Sequence, residues 1–183
     1  MKPLLRFEGV TCRRGGRLLF EDLDLQVGPG EALHLTGPNG SGKSSLIRLA
    51  AGLLRAEKGR IERNDAALAD EHLALDRDLT LRRALGFWSR DVDQAMEALD
   101  LVRLADVPVR LFSTGQAKRA TLARVAASGV PLWLLDEPLN GLDADGVERL
   151  ERLLARHLEK GGAVLAASHG PLGGTWSRME LGV

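Results

Sequence analysis

Cysteine and long apolar runs are scarce in this sequence, and each scarcity excludes a class of protein. The 183 residues contain one cysteine, Cys12, so neither an intrachain disulfide nor a cysteine-rich metal site can form. The four histidines are scattered along the chain, and we expect no structural metal. The longest apolar run, VPLWLL at 130–135, is far shorter than the ~20 residues that a membrane-spanning helix needs.

Net charge is also lacking. The sequence has 25 basic and 25 acidic residues, so no long-range field draws it to nucleic acid or to an anionic membrane surface. We therefore expect no nucleic-acid partner and no direct membrane insertion. The N-terminal stretch MKPLLRFEG has no signal-peptide core, which predicts a cytosolic protein. Its length and 44% hydrophobic content predict a single domain over residues 1–183.

Strand and helix patterns alternate along the chain, which predicts an α/β fold with a mostly parallel central sheet. Apolar residues alternate at 23–27, and EALHLT at 31–36 reads as a strand, so short strands open the chain. A helix ending near Gly52 follows, then a charged, turn-like segment at 55–70. Residues 79–104 have helical spacing and predict a small helical insert, whereas PLWLLD and AVLAAS read as buried strands.

The stretch GPNGSGKS at 37–44 is a phosphate-binding loop in its proper context, after a strand and before a helix. Its glycines let successive N–H groups face phosphates, and the helix N-terminus adds positive partial charge. Lys43 is expected to reach the β- and γ-phosphates, and Ser44 to bind Mg²⁺. The predicted nucleotide-binding residues are Gly37, Pro38, Asn39, Gly40, Ser41, Gly42, Lys43, Ser44 and Ser45. An ordinary glycine-rich turn is a poor alternative, although the loop does not reveal which base is bound.

Two carboxylates end the predicted strand LWLLD, and a histidine ends the strand after it. Asp136 is suited to the Mg²⁺ shell, and Glu137 to a general base that orients the attacking water. The alternative, an acidic pair that only caps a strand, is improbable this far downstream of a phosphate loop. His169 could contact the γ-phosphate, but a lone histidine at a strand end is more often structural.

A second anion-binding turn, Ser113-Thr114-Gly115-Gln116, precedes a helix that we expect to start near Gln116. Taken alone it is a routine capped helix start. However, the order of phosphate loop, helical insert, STGQ, LLDEP, LNGLD and SH resembles the ATPase subunits of ABC transporters across essentially the whole chain.

The ABC resemblance implies roles that the residues alone do not give. In that family the signature turn closes over ATP held by a second subunit, which implies a head-to-tail homodimer with two sandwiched ATP molecules. It assigns residues 113–116 to the signature, Asp136 and Glu137 to the Walker B pair, Asp143 to the D-loop and His169 to the switch histidine. It also implies a helical subdomain at about 75–125, Mg²⁺ as cofactor and integral membrane subunits as partners.

The sequence departs from the family pattern in three places. His72 lies where a glutamine that senses Mg²⁺ and the membrane partner is expected, and it is either a substitute or a plain surface residue. An aromatic residue that stacks on adenine is missing, so Cys12, Arg13 or Arg14 occupies its position. Thr114 replaces a second glycine or small residue in the signature, which is a mild change.

Further similarity lies in the flanking segments, including LTLRRALGFW, LNGLDADGV and ASHGPL. These resemble the ATP-binding subunits of the system I cytochrome c maturation exporters, which implies heme export or delivery at the cytoplasmic face of a bacterial inner membrane. The alternatives are another ABC exporter or a non-transport ABC ATPase. A DNA-repair type would need a long coiled coil between the two phosphate motifs, and a small-molecule kinase would lack the signature turn.

Overall fold

In the computed structural model, which describes residues 2–89 and 92–182, the N-terminal strands form a small antiparallel sheet. Strands β1 (Leu5–Arg14), β2 (Arg17–Val27) and β4 (Lys58–Arg63) lie in the order β2-β1-β4. Gly15 and Gly16 turn the β1–β2 hairpin with φ of 56° and 80°, a left-handed pair that favours glycine. This sheet covers one side of the molecule.

The second sheet is parallel and has the order β5-β6-β7-β3-β8. Its strands are β3 (Ala32–Thr36), β5 (Ala66–Ala69), β6 (Leu132–Asp136), β7 (Ala163–Ala167) and β8 (Ser177–Glu180). The predicted α/β fold with a mostly parallel central sheet and an antiparallel N-terminal part is confirmed. Because β3, β6 and β7 are parallel neighbours, the segments that follow them meet at one edge of the sheet.

Five helices pack around the parallel sheet: α1 (Lys43–Ala51), α2 (Leu81–Gly86), α3 (Asp93–Ala98), α4 (Thr114–Ala127) and α5 (Ala144–Glu159). Short 3₁₀ turns lie at Val102–Leu104 and Val109–Leu111. Helix α1 ends where Gly52, at φ 76°, takes the left-handed conformation and bonds back to Arg48 and Leu49. None of the helices in the described ranges is long and apolar enough to cross a membrane.

The hydrophobic core lies on both faces of the parallel sheet. Trp133 and Leu135 of β6 pack in a cluster with helices α2 to α5, whereas Leu132 and Leu134 pack in a cluster with α1 and the antiparallel sheet. All four side chains are at most 5% exposed. Alternate residues of one strand thus enter opposite layers, as the continuous apolar run predicts for a strand buried on both sides.

The prediction for residues 55–70 was wrong, because this segment contains β4 and β5 rather than only turns. Strand β4 lies at a sheet edge and keeps most of its polar side chains exposed, so it shows no apolar alternation. Strand β5 is AALA, and alanine is a weak strand signal. Strand β8 was also missed, since SRME is largely exposed.

The helical insert exists as two short helices and two 3₁₀ turns, whereas the sequence pattern suggested longer helices across 79–104. Arg90 and Asp91, inside that stretch, lie outside the described residues. Helix α4 begins at Thr114, two residues before the predicted start at Gln116. The division of the chain into one domain with a helical subdomain at about 75–125 stays a prediction.

Candidate functional site

The loop at 37–44 leaves β3 and enters α1, and its three glycines take left-handed backbone angles. Gly37, Gly40 and Gly42 have φ of 130°, 79° and 106°, which other residues rarely adopt. Gly42 is the N-cap of α1 and carries no side chain, so no side-chain cap competes for the first N–H groups of the helix. Those N–H groups and the helix dipole form a site for phosphate.

Lys43 is folded back over the same loop. Its Nζ donates to the carbonyl oxygens of Gly37 at 2.7 Å and Pro38 at 3.1 Å. Lys43 as a whole is 7% exposed, and both of its partners are carbonyls of the loop itself. A bound triphosphate would offer the ammonium charged acceptors, which form stronger hydrogen bonds than neutral carbonyls do.

Ser44 and Asp136 are brought together although 92 residues separate them in sequence. The Ser44 hydroxyl donates to Asp136 Oδ1 at 3.1 Å. Burial raises the pKa of Asp136, while the Ser44 hydrogen bond opposes this rise and the neighbouring Glu137 adds to it. A hydroxyl and a half-buried carboxylate are the oxygen donors that Mg²⁺ prefers, and a divalent cation would offset the charge that burial disfavours.

Glu137 and His169 also meet at this edge. Asp136 of β6 and Ala167 of β7 are paired in register, so the residues after both strands are neighbours. Glu137 Oε1 lies 3.5 Å from His169 Nε2, and the Glu137 N–H donates to the Ala167 carbonyl at 2.8 Å. Glu137 has φ 48°, a strained angle for a residue with a side chain, and such strain clusters at functional sites.

The turn at 113–116 is a capping box. Ser113 Oγ accepts from the Gln116 N–H at 3.3 Å, and the Ser113 N–H donates to Gln116 Oε1 at 2.9 Å. A Cβ on Gly115 would lie 3.0 Å from the Gly141 carbonyl, so this turn packs closely on the loop after β6. The Ser113 hydroxyl accepts in the cap and keeps its own hydrogen for another acceptor.

Ser113 and the phosphate loop lie in different parts of the molecule. Helix α4 packs on β5, which is separated from β3 by β6 and β7. Three strand spacings amount to about 14 Å. The cavity beneath the first turns of α4 is lined by Thr114, Lys118, Asp136 and Glu137. The carboxylates of the site and the first turns of α4 therefore face one cavity, whereas Ser113 is exposed.

Comparison with known proteins gives the family of this chain. The model of the ABC transporter family matches residues 20–140, more than half of the chain. The chain belongs to the ABC transporter family. The cytochrome c biogenesis ATP-binding export protein CcmA of Sphingopyxis alaskensis is 55% identical, over 92% of this chain and 91% of that protein. CcmA of Novosphingobium aromaticivorans is 59% identical, over 89% of this chain and 87% of that protein.

One solved structure with the same fold is an ATP-binding subunit of an ABC transporter, with a TM-score of 0.82 and 24% identity. The match covers 91% of this chain and 79% of that one. An ATP-binding cassette solved as a dimer in a post-hydrolysis state with ADP and Pi has a TM-score of 0.78 and 22% identity, covering 91% of this chain and 88% of that one. The ABC family membership confirms the resemblance drawn from the sequence motifs. ATP binding and ATP hydrolysis by a transporter ATPase follow for this chain.

Asp143, which the family resemblance predicts to be the D-loop residue, is the N-cap of α5. Its Oδ1 accepts from the Gly146 N–H at 2.8 Å. A carboxylate at this position satisfies a free N–H group and complements the helix dipole. Gly141, two residues earlier, contacts the signature turn, so the two segments form one continuous surface.

The surroundings of two of the residues predicted at the position of the missing aromatic residue, Cys12 and Arg13, are described by the structure. Cys12 is 3% exposed, so its side chain is not open to a base, and burial raises the pKa of its thiol. Arg13 forms an ion pair with Glu57 at 3.2 Å. Two residues of β2 lie against the phosphate loop, and the sequence did not predict this. A Cβ on Gly40 would lie 3.8 Å from Arg17 Nη1, and a Cβ on Gly42 would lie 3.3 Å from the Phe20 ring. The only sequence signal for this contact is the Gly15-Gly16 hairpin.

His72 pairs with Asp70 rather than with Asp136 or Glu137. Its side chain is 71% exposed, and its Nδ1 lies 3.2 Å from Asp70 Oδ2. Asp70 follows β5 directly and lines the same cavity as Asp136 and Lys118. Burial lowers the pKa of Lys118, and the carboxylate of Asp136 is the main opposing influence. Asp70 and Lys118 are thus charged groups near the site that the motifs did not indicate.

Proposed function

We propose that this chain is the ATPase subunit of an ABC exporter that serves the biogenesis of c-type cytochromes. The observation that carries the proposal is the 55–59% identity to two CcmA proteins over about nine tenths of the chain. The phosphate loop, the two carboxylates after β6, the signature turn and His169 are all present. By the family resemblance, the exporter carries heme or takes part in its delivery.

ATP binds, in this proposal, between two copies of the chain. The loop of residues 37–45 in one copy holds the phosphates, and Ser113, Thr114, Gly115 and Gln116 of the other copy close over them. The exposure of Ser113 and its separation of about three strand spacings from β3 support this arrangement. A dimer joined head to tail through its nucleotides is stable only while the γ-phosphate is present, so hydrolysis opens it.

The residues at the sheet edge divide the chemical work. Ser44 and Asp136 would hold Mg²⁺, which neutralises phosphate charge when bound. Glu137 accepts a proton from the attacking water as general base, a role worth about 10²- to 10⁴-fold in rate. His169, whose Nε2 lies 3.5 Å from Glu137 Oε1, orients that carboxylate and contacts the γ-phosphate. Asp143 lies at the dimer interface and fixes the start of α5.

In this proposal, integral membrane subunits supply the passage through the bilayer. The ATPase dimer docks on them at the cytoplasmic face of the bacterial inner membrane. Opening and closing of the dimer then moves the membrane subunits, so the energy of hydrolysis is converted into movement of the cargo.

Deletion of the gene tests the proposal. Covalent heme in c-type cytochromes is measured in the deletion strain and in strains that carry the parent, Lys43→Ala or Lys58→Ala. We expect the parent and Lys58→Ala, an exposed lysine of β4, to restore the cytochromes and Lys43→Ala to fail. Normal cytochromes in the deletion strain would assign the ATPase to another exporter or to a non-transport role.

A further inference from the structure

The segment of residues 169–182, here named the strap, joins two parts of the ATP site. It begins at His169, beside Glu137, and ends on the phosphate loop. Leu172 is buried at 8% exposure, and the Gly173 N–H donates to Glu151 Oε1 of α5 at 3.1 Å. These contacts fix the strap between its two functional ends.

Leu181 holds the strap against the start of the phosphate loop. Strand β8 runs parallel to β3, and the Leu181 N–H donates to the Thr36 carbonyl at 2.9 Å. The Leu181 carbonyl lies so close to Gly37 that a Cβ on this glycine would fall on it. The two backbones are therefore in contact at the residue where the loop begins.

Gly182 supports the middle of the loop. It has φ 86°, and a Cβ at this position would lie 2.9 Å from Ser41 Cβ, closer than real Cβ atoms approach. Ser41 is 6% exposed, and its Oγ has no hydrogen-bond partner within residues 2–89 and 92–182. Ser41 is therefore held by packing against Gly182 and by its backbone, whose N–H donates to the Pro38 carbonyl at 3.2 Å.

We propose that Leu181 and Gly182 are positioning residues that hold the phosphate loop in its nucleotide-binding shape. The carbonyls of Gly37 and Pro38 bond to Lys43, so a displacement of the loop also displaces its lysine. The strap thereby links the loop to His169 through 14 residues of continuous chain. The inference deepens the proposed function and depends on ATP being the ligand.

Two glycines of the strap provide a matched test. Gly182 and Gly174 both have left-handed φ, 86° and 95°, so an alanine at either is strained in the same way. A Cβ on Gly174 would meet only Trp176 Nε1, at 4.0 Å, whereas one on Gly182 would press on Ser41. Gly182→Ala is expected to raise the Kd for ATP about tenfold, equivalent to roughly 1.4 kcal/mol, and Gly174→Ala by less than about twofold.

The Kd is measured with a fluorescent ATP analogue, and the KM and kcat with unlabelled ATP. Gly182→Ala should raise the KM by a larger factor than it lowers the kcat at saturating ATP, because Glu137 and His169 lie outside the displaced loop. The double variant Gly182→Ala/Ser41→Gly lacks the Cβ of residue 41 on which the new alanine would press. It should bind ATP as tightly as Ser41→Gly alone. Equal affinities for Gly182→Ala and Gly174→Ala, or no rescue in the double variant, overturn the inference. A parent protein that does not bind ATP overturns the proposed function itself.

Discussion

The substitution Ser113→Asp separates the two roles of the signature serine. In the described structure Ser113 caps α4, and in the proposed dimer its hydroxyl donates to the ATP of the partner. Aspartate is as good an N-cap as serine and complements the helix dipole, so the cap is retained. Alanine instead removes it, at a cost of about 1 kcal/mol in the free energy of unfolding.

The effect on hydrolysis is expected to run in the opposite order. A hydrogen bond to a charged group contributes about 1.5–3 kcal/mol, so Ser113→Ala loses about 10- to 150-fold in rate. Ser113→Asp loses the same bond and adds a carboxylate beside the γ-phosphate, so its loss is larger. Ser113→Arg also blocks closure sterically. The alanine variant should be the less stable protein, and the aspartate variant the less active one.

Three measurements check this expectation: the Tm without nucleotide, the Kd for ATP at a concentration where the chain is monomeric, and the rate of hydrolysis. The parent Kd should be kept in all three variants, because the lesion lies on the partner's side of the nucleotide. Hydrolysis at the parental rate by Ser113→Asp would refute the reasoning, and so would loss of ATP binding by the isolated variant.

Two further predictions follow from the same site and its surroundings. Glu137→Gln should bind ATP and accumulate as a dimer on gel filtration, because the contacts between ATP and both subunits form while hydrolysis stalls. A monomeric variant with the parental ATPase rate would show that Glu137 is not the general base. His157 stacks on Trp133 at 3.7 Å between ring centroids, and burial lowers its pKa, so the neutral ring is the form that the fold favours. The contribution of His157 to the free energy of unfolding should therefore be fully present above pH 6.5, the ordinary pKa of histidine. It should be lost as the pH falls below this value. Urea denaturation at several pH values measures this, and His157→Phe, which keeps a stacked ring but cannot be protonated, should flatten the dependence.

The motifs and buried strands could be predicted because single physical rules fix them. A strand before GPNGSGKS and a helix after it follow from the loop itself, and the apolar run of β6 indicates a strand buried on both faces. Because β6 and β7 are parallel neighbours, the residues that follow the two strands lie close together at one edge of the sheet. The assignment of Glu137 and His169, 32 residues apart, to one site came instead from the resemblance to ABC ATPases.

Other parts of the fold and site left no readable pattern in the sequence. Strands β4 and β8 are largely exposed edge strands, so neither shows the alternation that identifies a half-buried strand. The φ of 48° at Glu137 depends on a hydrogen bond to the Ala167 carbonyl, a contact between distant residues. The contact of Gly182 with Ser41 likewise depends on how β8 pairs with β3.

Mixing two inactive variants tests the shared ATP sites most directly. Lys43→Ala damages the phosphate loop, and Ser113→Arg damages the signature turn. In a mixed dimer the lysine of the second variant and the serine of the first meet at one intact site, while the other site carries both lesions. The shared-site account predicts that an equal mixture regains roughly a quarter of the parental ATPase activity, since half of the dimers are mixed and each has one working site. A mixture no more active than its two components would show that each subunit hydrolyses ATP with its own residues, which contradicts the account.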